Sequence, residues 1–160
     1  MEMNRHQELI AQYENGYDIV HNALHGITDA ELDARPAPGA WTTREIVHHL
    51  GDSEMTSAIR LRLLVAAENP VIVGYDQDAF VRRLAYDRPI TASLEAFKAA
   101  RRATAEILHR LTDADWRRAG THTDTGRYTA EDWLEIYASH ASEHADQIRE
   151  ARASLKKDVT

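Results

Sequence analysis

Residues 129–151 read TAEDWLEIYASHASEHADQIREA and decide the fold class. Apolar residues recur there every three or four positions, which is the period of one face of an α-helix. That face carries Trp133, Ile136, Tyr137, Ala141, Ile148 and Ala151. Thr129, followed three positions later by Asp132, is a helix-capping pattern. The stretch predicts a long amphipathic helix that buries its apolar stripe against other helices.

Three further segments show the same helical period. We predict helices over residues 4–25, 42–67 and 91–111, in addition to the helix over 129–154. Together they indicate an all-α protein, a four-helix bundle. Residues 68–90 then form one long crossover between the second and third helices, which is a known bundle connection.

The remaining sequence carries little strand signal. The β-rich run at residues 71–73 is too short to found a sheet, and residues 120–128 are expected to form a loop. A chain of 160 residues fits one domain. We assign that domain to residues 1–155 and expect a frayed tail over 156–160.

The composition excludes several classes of protein. A formal net charge of −7 disfavours nucleic acid and anionic membranes as partners, because both need a basic surface. The absence of cysteine excludes a thiolate nucleophile, an Fe–S cluster and a Cys-based zinc site. No apolar stretch approaches the roughly 20 residues of a membrane span, and no signal peptide is visible. We expect a cytoplasmic protein that acts on a small molecule.

Two of the nine histidines lie at the centre of the apolar stripe on the fourth helix. On a helical wheel, His140 and His144 fall within about 20° of Trp133. Their spacing of four residues allows two imidazoles, one turn apart, to bind one metal ion. The alternative is a pair of core histidines satisfied by hydrogen bonds.

A second histidine pair with the same spacing provides an internal control. His21 and His25 lie about 80–120° from the centre of the apolar stripe on the first helix. We therefore expect both side chains at the periphery or in solvent. Since the two pairs share one spacing, position on the helix must decide which pair binds a metal.

The third ligand is expected on the second helix, where two histidines are adjacent. His49 lies about 60° from Ile46, on the inward flank, whereas His48 lies about 160° away and is expected to face solvent. His49 therefore joins His140 and His144 as a predicted metal ligand. Three neutral imidazoles leave a coordination position open, as in catalytic zinc sites. Histidine also suits nickel, copper and iron.

Three carboxylates lie close to these histidines in the sequence. Glu45 and Asp52 are each about one turn from His49, and Glu143 borders His144. Such carboxylates can orient metal-bound imidazoles or act as a base. The alternative for each is a solvated charge on a helix surface.

Residues 41–54, WTTREIVHHLGDSE, resemble the second-helix motif of the DinB-like superfamily, in its branch of metal-dependent hydrolases and bacillithiol S-transferases. Residues 74–78, GYDQD, and 140–148, HASEHADQI, resemble the same branch. In one respect the chain departs from the pattern, because Glu54 stands where some members have histidine. That departure puts their exact substrate in doubt for this chain.

The resemblance implies a four-helix bundle, often in a homodimer, with one divalent metal ion on His49, His140 and His144. Zinc is the expected metal and nickel the alternative.

Three functions stay open at this point. The first is an S-transferase that joins a low-molecular-weight thiol, of the bacillithiol or mycothiol type, to an electrophile. The second is a metal-dependent hydrolase in which metal-bound water is the nucleophile. The third is a non-enzymatic, stress-related bundle whose metal holds the helices together.

Overall fold

The computed structural model describes residues 4–157. Its four long helices are α1 (Arg5–Ala23), α3 (Thr43–Ala66), α5 (Thr91–Leu108) and α7 (Ala130–Lys157). The connections contain the short helices α2 (Asp29–Asp33), α4 (Gln77–Arg83) and α6 (Asp113–Trp116). The predicted four-helix bundle with a long crossover between its second and third long helices is confirmed. Residues 158–160 of the predicted tail lie outside the described residues.

Side-chain caps fix where the long helices α3 and α7 begin. The Thr42 hydroxyl accepts a hydrogen bond from the Glu45 backbone N–H (3.1 Å), and the Glu45 carboxylate accepts one from the Thr42 N–H (2.8 Å). Thr129 and Asp132 make the same reciprocal pair before α7, at 3.0 and 2.8 Å. Each cap contributes about 1 kcal/mol. Both capping patterns in the sequence are thus confirmed.

The long helices pack in two close pairs, α1 with α7 and α3 with α5. One half of the core gathers around Tyr13, Leu61 and Trp133, and the other around Val20, Leu50, Phe97 and Ile148. Within residues 4–157, no helix combines the length and the apolar character that a membrane crossing requires.

A buried ion pair lies between the two halves of the core. The Arg101 guanidinium stacks on Tyr13 and Phe97, with its central carbon 4.1 and 5.0 Å from their ring centroids. It donates to the Glu54 carboxylate at 2.8 Å and to the Tyr13 backbone carbonyl at 2.7 Å. The Tyr13 hydroxyl donates to the other Glu54 oxygen. Glu54 therefore has a structural partner in this chain.

A small sheet corrects the expectation of a purely helical protein. Its strands are β1 (Val71–Ile72), β2 (Ala119–His122) and β3 (Gly126–Thr129), in the order β1-β2-β3. The segment expected as a loop over residues 120–128 is therefore a β-hairpin, with Gly126 at φ 85° in its turn.

The parallel pairing of β1 with β2 ties the start of the crossover to the segment before α7. The two strands approach closely because Gly120 has no side chain, and a Cβ there would collide with the Pro70 carbonyl. The sequence carries no local pattern for this pairing, because β1 has only two residues and its partner strand lies about 50 residues further along the chain.

Candidate metal centre

The structure brings His49, His140 and His144 together where α3 faces α7. The Nε2 atom of His140 lies 3.4 Å from that of His49 and 3.1 Å from that of His144. One nitrogen atom from each ring lies within 4.8 Å of the other two. The three side chains thus present converging ligand atoms from two helices that are far apart in the sequence.

Burial keeps these imidazoles neutral. It lowers the pKa of His49 to about 3 and that of His140 to about 2, with a smaller contribution from the charge of neighbouring histidines. Burial also lowers the pKa of His144. At neutral pH each ring has a lone pair available, which is the form that metal binding needs.

Gln147 orients one of the three rings. The Nδ1–H of His144 donates to Gln147 Oε1 at 2.9 Å. This bond fixes the tautomer, so that the Nε2 lone pair of His144 points towards the other histidines. The sequence analysis did not identify Gln147 as a site residue. Its spacing of three residues from His144 on one helix is the signal that would have found it.

The donor set fits a divalent metal ion. Three neutral Nε2 atoms that converge at these distances cannot all be paired with one another, because each proton serves only one pair. The Nδ1 atom of His140 is also buried without a hydrogen-bond partner. His140 is therefore not a satisfied core histidine, whereas a cation would accept all three lone pairs.

The prediction that His48 faces solvent is wrong. Its side chain is fully buried. Its Nδ1 atom accepts from the Ser93 hydroxyl at 2.7 Å, and its Nε2–H donates to the Arg88 carbonyl at 2.9 Å. The end of the crossover and the start of α5 cover the side of α3 that the helical wheel assigns to solvent. His48 is a satisfied core histidine, while His21 and His25 are exposed as expected.

Each of the three candidate carboxylates forms a hydrogen bond with a residue outside the three histidines. Glu45 caps α3 and binds the Arg35 guanidinium at 2.8 and 3.0 Å. Asp52 accepts from the Tyr86 hydroxyl at 2.6 Å. The Glu143 carboxylate is exposed and accepts from the Ser139 hydroxyl at 2.7 Å.

Two aromatic side chains pack against different histidines of the cluster. The Tyr137 ring lies edge-on to His140, with centroids 5.5 Å apart, and burial raises the pKa of its hydroxyl. Trp41 packs against His49, with its ring centroid 4.9 Å from that of the imidazole. Its ring is nearly parallel to that of His144 (14°, centroids 6.5 Å apart).

A cleft of about 480 Å³ opens beside His144. Its walls are the loop that ends at Trp41, the residue Gln77 at the start of α4, and the part of α7 around Gln147. The Trp41 indole N–H donates to Asp78 on α4 at 3.1 Å, so the crossover holds this wall in place. The volume is that of a small-molecule site.

The fold and this cluster define a helical-bundle protein with a candidate three-histidine metal centre. A family model described as the DinB superfamily matches residues 12–148. The chain belongs to the DinB superfamily.

Two relatives have the same functional term in their names. A protein of Oceanobacillus iheyensis, named "Putative metal-dependent hydrolase", is 32% identical over 141 residues, which cover 88% of this chain and 82% of that one. The protein YfiT of Bacillus subtilis, similarly named, is 34% identical over 130 residues, which cover 80% and 73%.

Two solved structures share the fold. The structure of YfiT, which is described as having an unusual four-helix bundle topology, superposes with a TM-score of 0.90 at 29% identity, over 98% of this chain and 90% of that one. The four-helix bundle protein TT2238 superposes with a TM-score of 0.64 over 90% and 98%. Its identity is 22%, so this second likeness concerns the fold alone.

Proposed function

We propose that this protein is a metal-dependent S-transferase that joins a low-molecular-weight thiol to an electrophile. His49, His140 and His144 would hold one divalent metal ion, with zinc as the first expectation and nickel as the second. The observation that carries the proposal is the convergence of three neutral histidines beside an open cleft. The chain has no cysteine, so the thiol must be a cosubstrate.

A divalent metal ion held by His49, His140 and His144 would supply Lewis-acid chemistry that lowers the pKa of a thiol, so that thiolate would be available near neutral pH. The transfer forms one S–C bond with a sulfur electron pair and breaks the bond from that carbon to the leaving group, which departs with its electron pair. The thiol proton passes to solvent. In this scheme Gln147 keeps His144 in the ligating tautomer, and Trp41 shields one side of the site from water.

The surroundings favour thiol transfer over hydrolysis. A hydrolase would benefit from a carboxylate beside the histidines that takes a proton from water. Glu45 and Asp52 are instead bound to Arg35 and Tyr86, and Glu143 points to Ser139. Hydrolysis is the second candidate, because the relatives are described as metal-dependent hydrolases.

A thiol-dependence assay separates these candidates. The protein is incubated with monochlorobimane and with a panel of thiols that includes bacillithiol and mycothiol, before and after removal of the metal by chelation. We expect consumption of the electrophile to need both metal and thiol. Equal rates after chelation would exclude the metal-dependent reaction. Hydrolysis of model esters without thiol would instead support the second candidate, and inactivity in both assays would favour the non-enzymatic bundle.

We also propose that the protein is a homodimer. Met55, Ile59 and Leu63 are exposed at successive turns on one face of α3 (44%, 61% and 40%) and form an apolar patch that a second copy could cover. Light scattering at tens of micromolar protein should give twice the chain mass. A monomer at that concentration would contradict the proposal.

A further inference from the structure

We propose that Arg60, which Tyr137 connects to His140, binds a carboxylate carried by a substrate, with the Tyr137 hydroxyl as a second donor. The inference rests on the proposed function, because it names the chemical class of a substrate of that site. It depends on three observations, which are the contacts of Arg60, its proximity to the metal ligands, and the partners of the acidic groups nearby.

The Arg60 guanidinium is held in place without an ion pair. It donates to the Val73 carbonyl at 2.6 Å, and its central carbon lies 5.6 Å from the centroid of the Tyr75 ring. Arg60 and Tyr75 are both partly exposed. In the part of the chain that the structure describes, no carboxylate lies within ion-pair distance of Arg60. Since a guanidinium has five N–H donors, donors remain for an anion from solvent.

Tyr137 places this guanidinium beside the histidine cluster. The Tyr137 side chain is 7% exposed, and its ring centroid lies 5.5 Å from that of His140. Burial raises the pKa of its hydroxyl, while the neighbouring Arg60 guanidinium and Ser53 hydroxyl lower it. Ser53 follows His49 by one turn on α3 and is itself buried. Arg60 and the Tyr137 hydroxyl therefore lie next to ligands from both helices.

The acidic groups nearby are bound to other residues. Glu54 receives the Arg101 guanidinium at 2.8 Å, and Asp52 accepts from the Tyr86 hydroxyl at 2.6 Å. Arg60 thus keeps its positive charge available in a chain of net charge −7. A planar guanidinium matches a carboxylate in shape, because it can donate two parallel hydrogen bonds to the two oxygens. The geometry therefore suits a substrate with a carboxylate close to its reacting atom.

A metal ion on the three histidines would also attract a carboxylate, so the test must separate the two cations. A mercaptocarboxylate can place its sulfur on the metal and leave its carboxylate at the end of a methylene chain. The corresponding amide has the same sulfur and the same length without the charge. The metal acts on both members of such a pair in every variant. The contribution of Arg60 is therefore the part of the preference for the acid that is lost when Arg60 loses its charge.

The probes are mercaptoacetate, 3-mercaptopropionate, 4-mercaptobutyrate and their three amides. Each is titrated by calorimetry into the zinc-loaded protein without an electrophile, and the chain length measures the reach to Arg60. We expect Arg60→Gln to lower the preference for the acid about tenfold for at least one chain length, because a charge-assisted pair is lost. Affinity for the amide should stay nearly unchanged. An unchanged preference at all three lengths, or no binding of any probe, would overturn the proposal.

Further variants separate a local effect from a general one. Arg102→Gln removes an exposed arginine on α5 and changes the net charge equally, so it should leave the preference unchanged. Tyr137→Phe removes only the second donor and should lower the preference less than Arg60→Gln. Bound zinc per chain should be the same in all variants. If Arg60→Gln loses its helical signal, Arg60→Met replaces it in the same titrations. An equal loss in Arg102→Gln would contradict the role given to Arg60.

Turnover then identifies which substrate carries the carboxylate. One arm compares 3-mercaptopropionate with its amide, using monochlorobimane, and the other compares iodoacetate with iodoacetamide, using 2-mercaptoethanol. A selective loss of kcat/KM in Arg60→Gln for the acid of the first pair assigns the carboxylate to the thiol, and for the acid of the second pair to the electrophile. No selective loss in either pair would contradict the substrate assignment. Arg60-dependent binding without any thiol-dependent turnover would contradict the proposed function and leave the anion site standing.

Discussion

The two sides of α3 both bury polar side chains, and they differ in the groups with which these side chains interact. On the side towards α5, His48 uses both ring nitrogens, and Glu54 accepts from Arg101 and Tyr13. On the side towards α7, the Nε2 atom of His49 lies 3.4 Å from that of His140, and the buried Nδ1 atom of His140 has no hydrogen-bond partner. Native proteins satisfy nearly all buried polar atoms. The convergence of three neutral imidazoles, and not burial alone, therefore distinguishes the candidate site.

The two His-x-x-x-His pairs show that spacing alone does not identify a metal site. On α1 the pair formed by His21 and His25 is exposed. On α7 the same spacing places His140 and His144 against a third histidine from α3. The surroundings of each pair, which depend on the whole bundle, decide whether the same motif lies in solvent or contributes to a candidate metal site.

The largest effect on stability is expected from the ion pair on the side of α3 that faces α5. Glu54→Ala leaves the buried Arg101 guanidinium without its carboxylate, which should lower the free energy of unfolding by about 3–5 kcal/mol. Urea denaturation of the metal-free protein measures this loss. Glu14→Ala, which removes an exposed partner of His109, should have little effect. A loss from Glu54→Ala of less than about 1 kcal/mol would show that the ion pair is not a structural element.

An intermediate effect is expected at His48. His48→Ala leaves the Arg88 carbonyl without its donor and the Ser93 hydroxyl without its acceptor, so the free energy of unfolding should fall by about 1–3 kcal/mol. The metal should stay bound. His21→Ala is the matched exposed control and should stay within about 0.5 kcal/mol of the wild type. If both variants are as stable as the wild type, the hydrogen bonds of His48 contribute nothing.

A smaller change should follow from Gln147, which acts on the site through His144. Gln147→Leu removes the acceptor for the Nδ1–H and should weaken metal binding about 10- to 100-fold without changing the stoichiometry. Gln147→Glu keeps an acceptor and should keep the affinity. Competition with a metal-binding dye measures both variants. Wild-type metal affinity in Gln147→Leu would show that Gln147 does not orient His144 for metal binding.

Features that are local in the sequence were predictable. The caps at Thr42 and Thr129 lie within three residues of their partners, and the position of His140 and His144 on α7 follows from a regular helical period. Such patterns depend on one helix alone, so a helical wheel is sufficient to find them.

Features created by the crossover were not predictable. The helical wheel assigns His48 to solvent, because it does not include the residues that cover His48, which come from the end of the crossover and the start of α5, around Arg88 and Ser93. The pairing of β1 with β2 and the hydrogen bond from Trp41 to Asp78 likewise join distant segments. No local pattern encodes such contacts, and the wall of the cleft depends on one of them.

The most direct test of the account is bound metal per chain, measured by elemental analysis of protein purified without a polyhistidine tag. We expect about one metal ion in the wild type and in the variants His21→Ala, His25→Ala and His48→Ala. We expect little or none in His49→Ala, His140→Ala and His144→Ala, because two imidazoles bind far more weakly than three. A full site in His49→Ala together with an empty site in His48→Ala would contradict the assigned three-histidine centre.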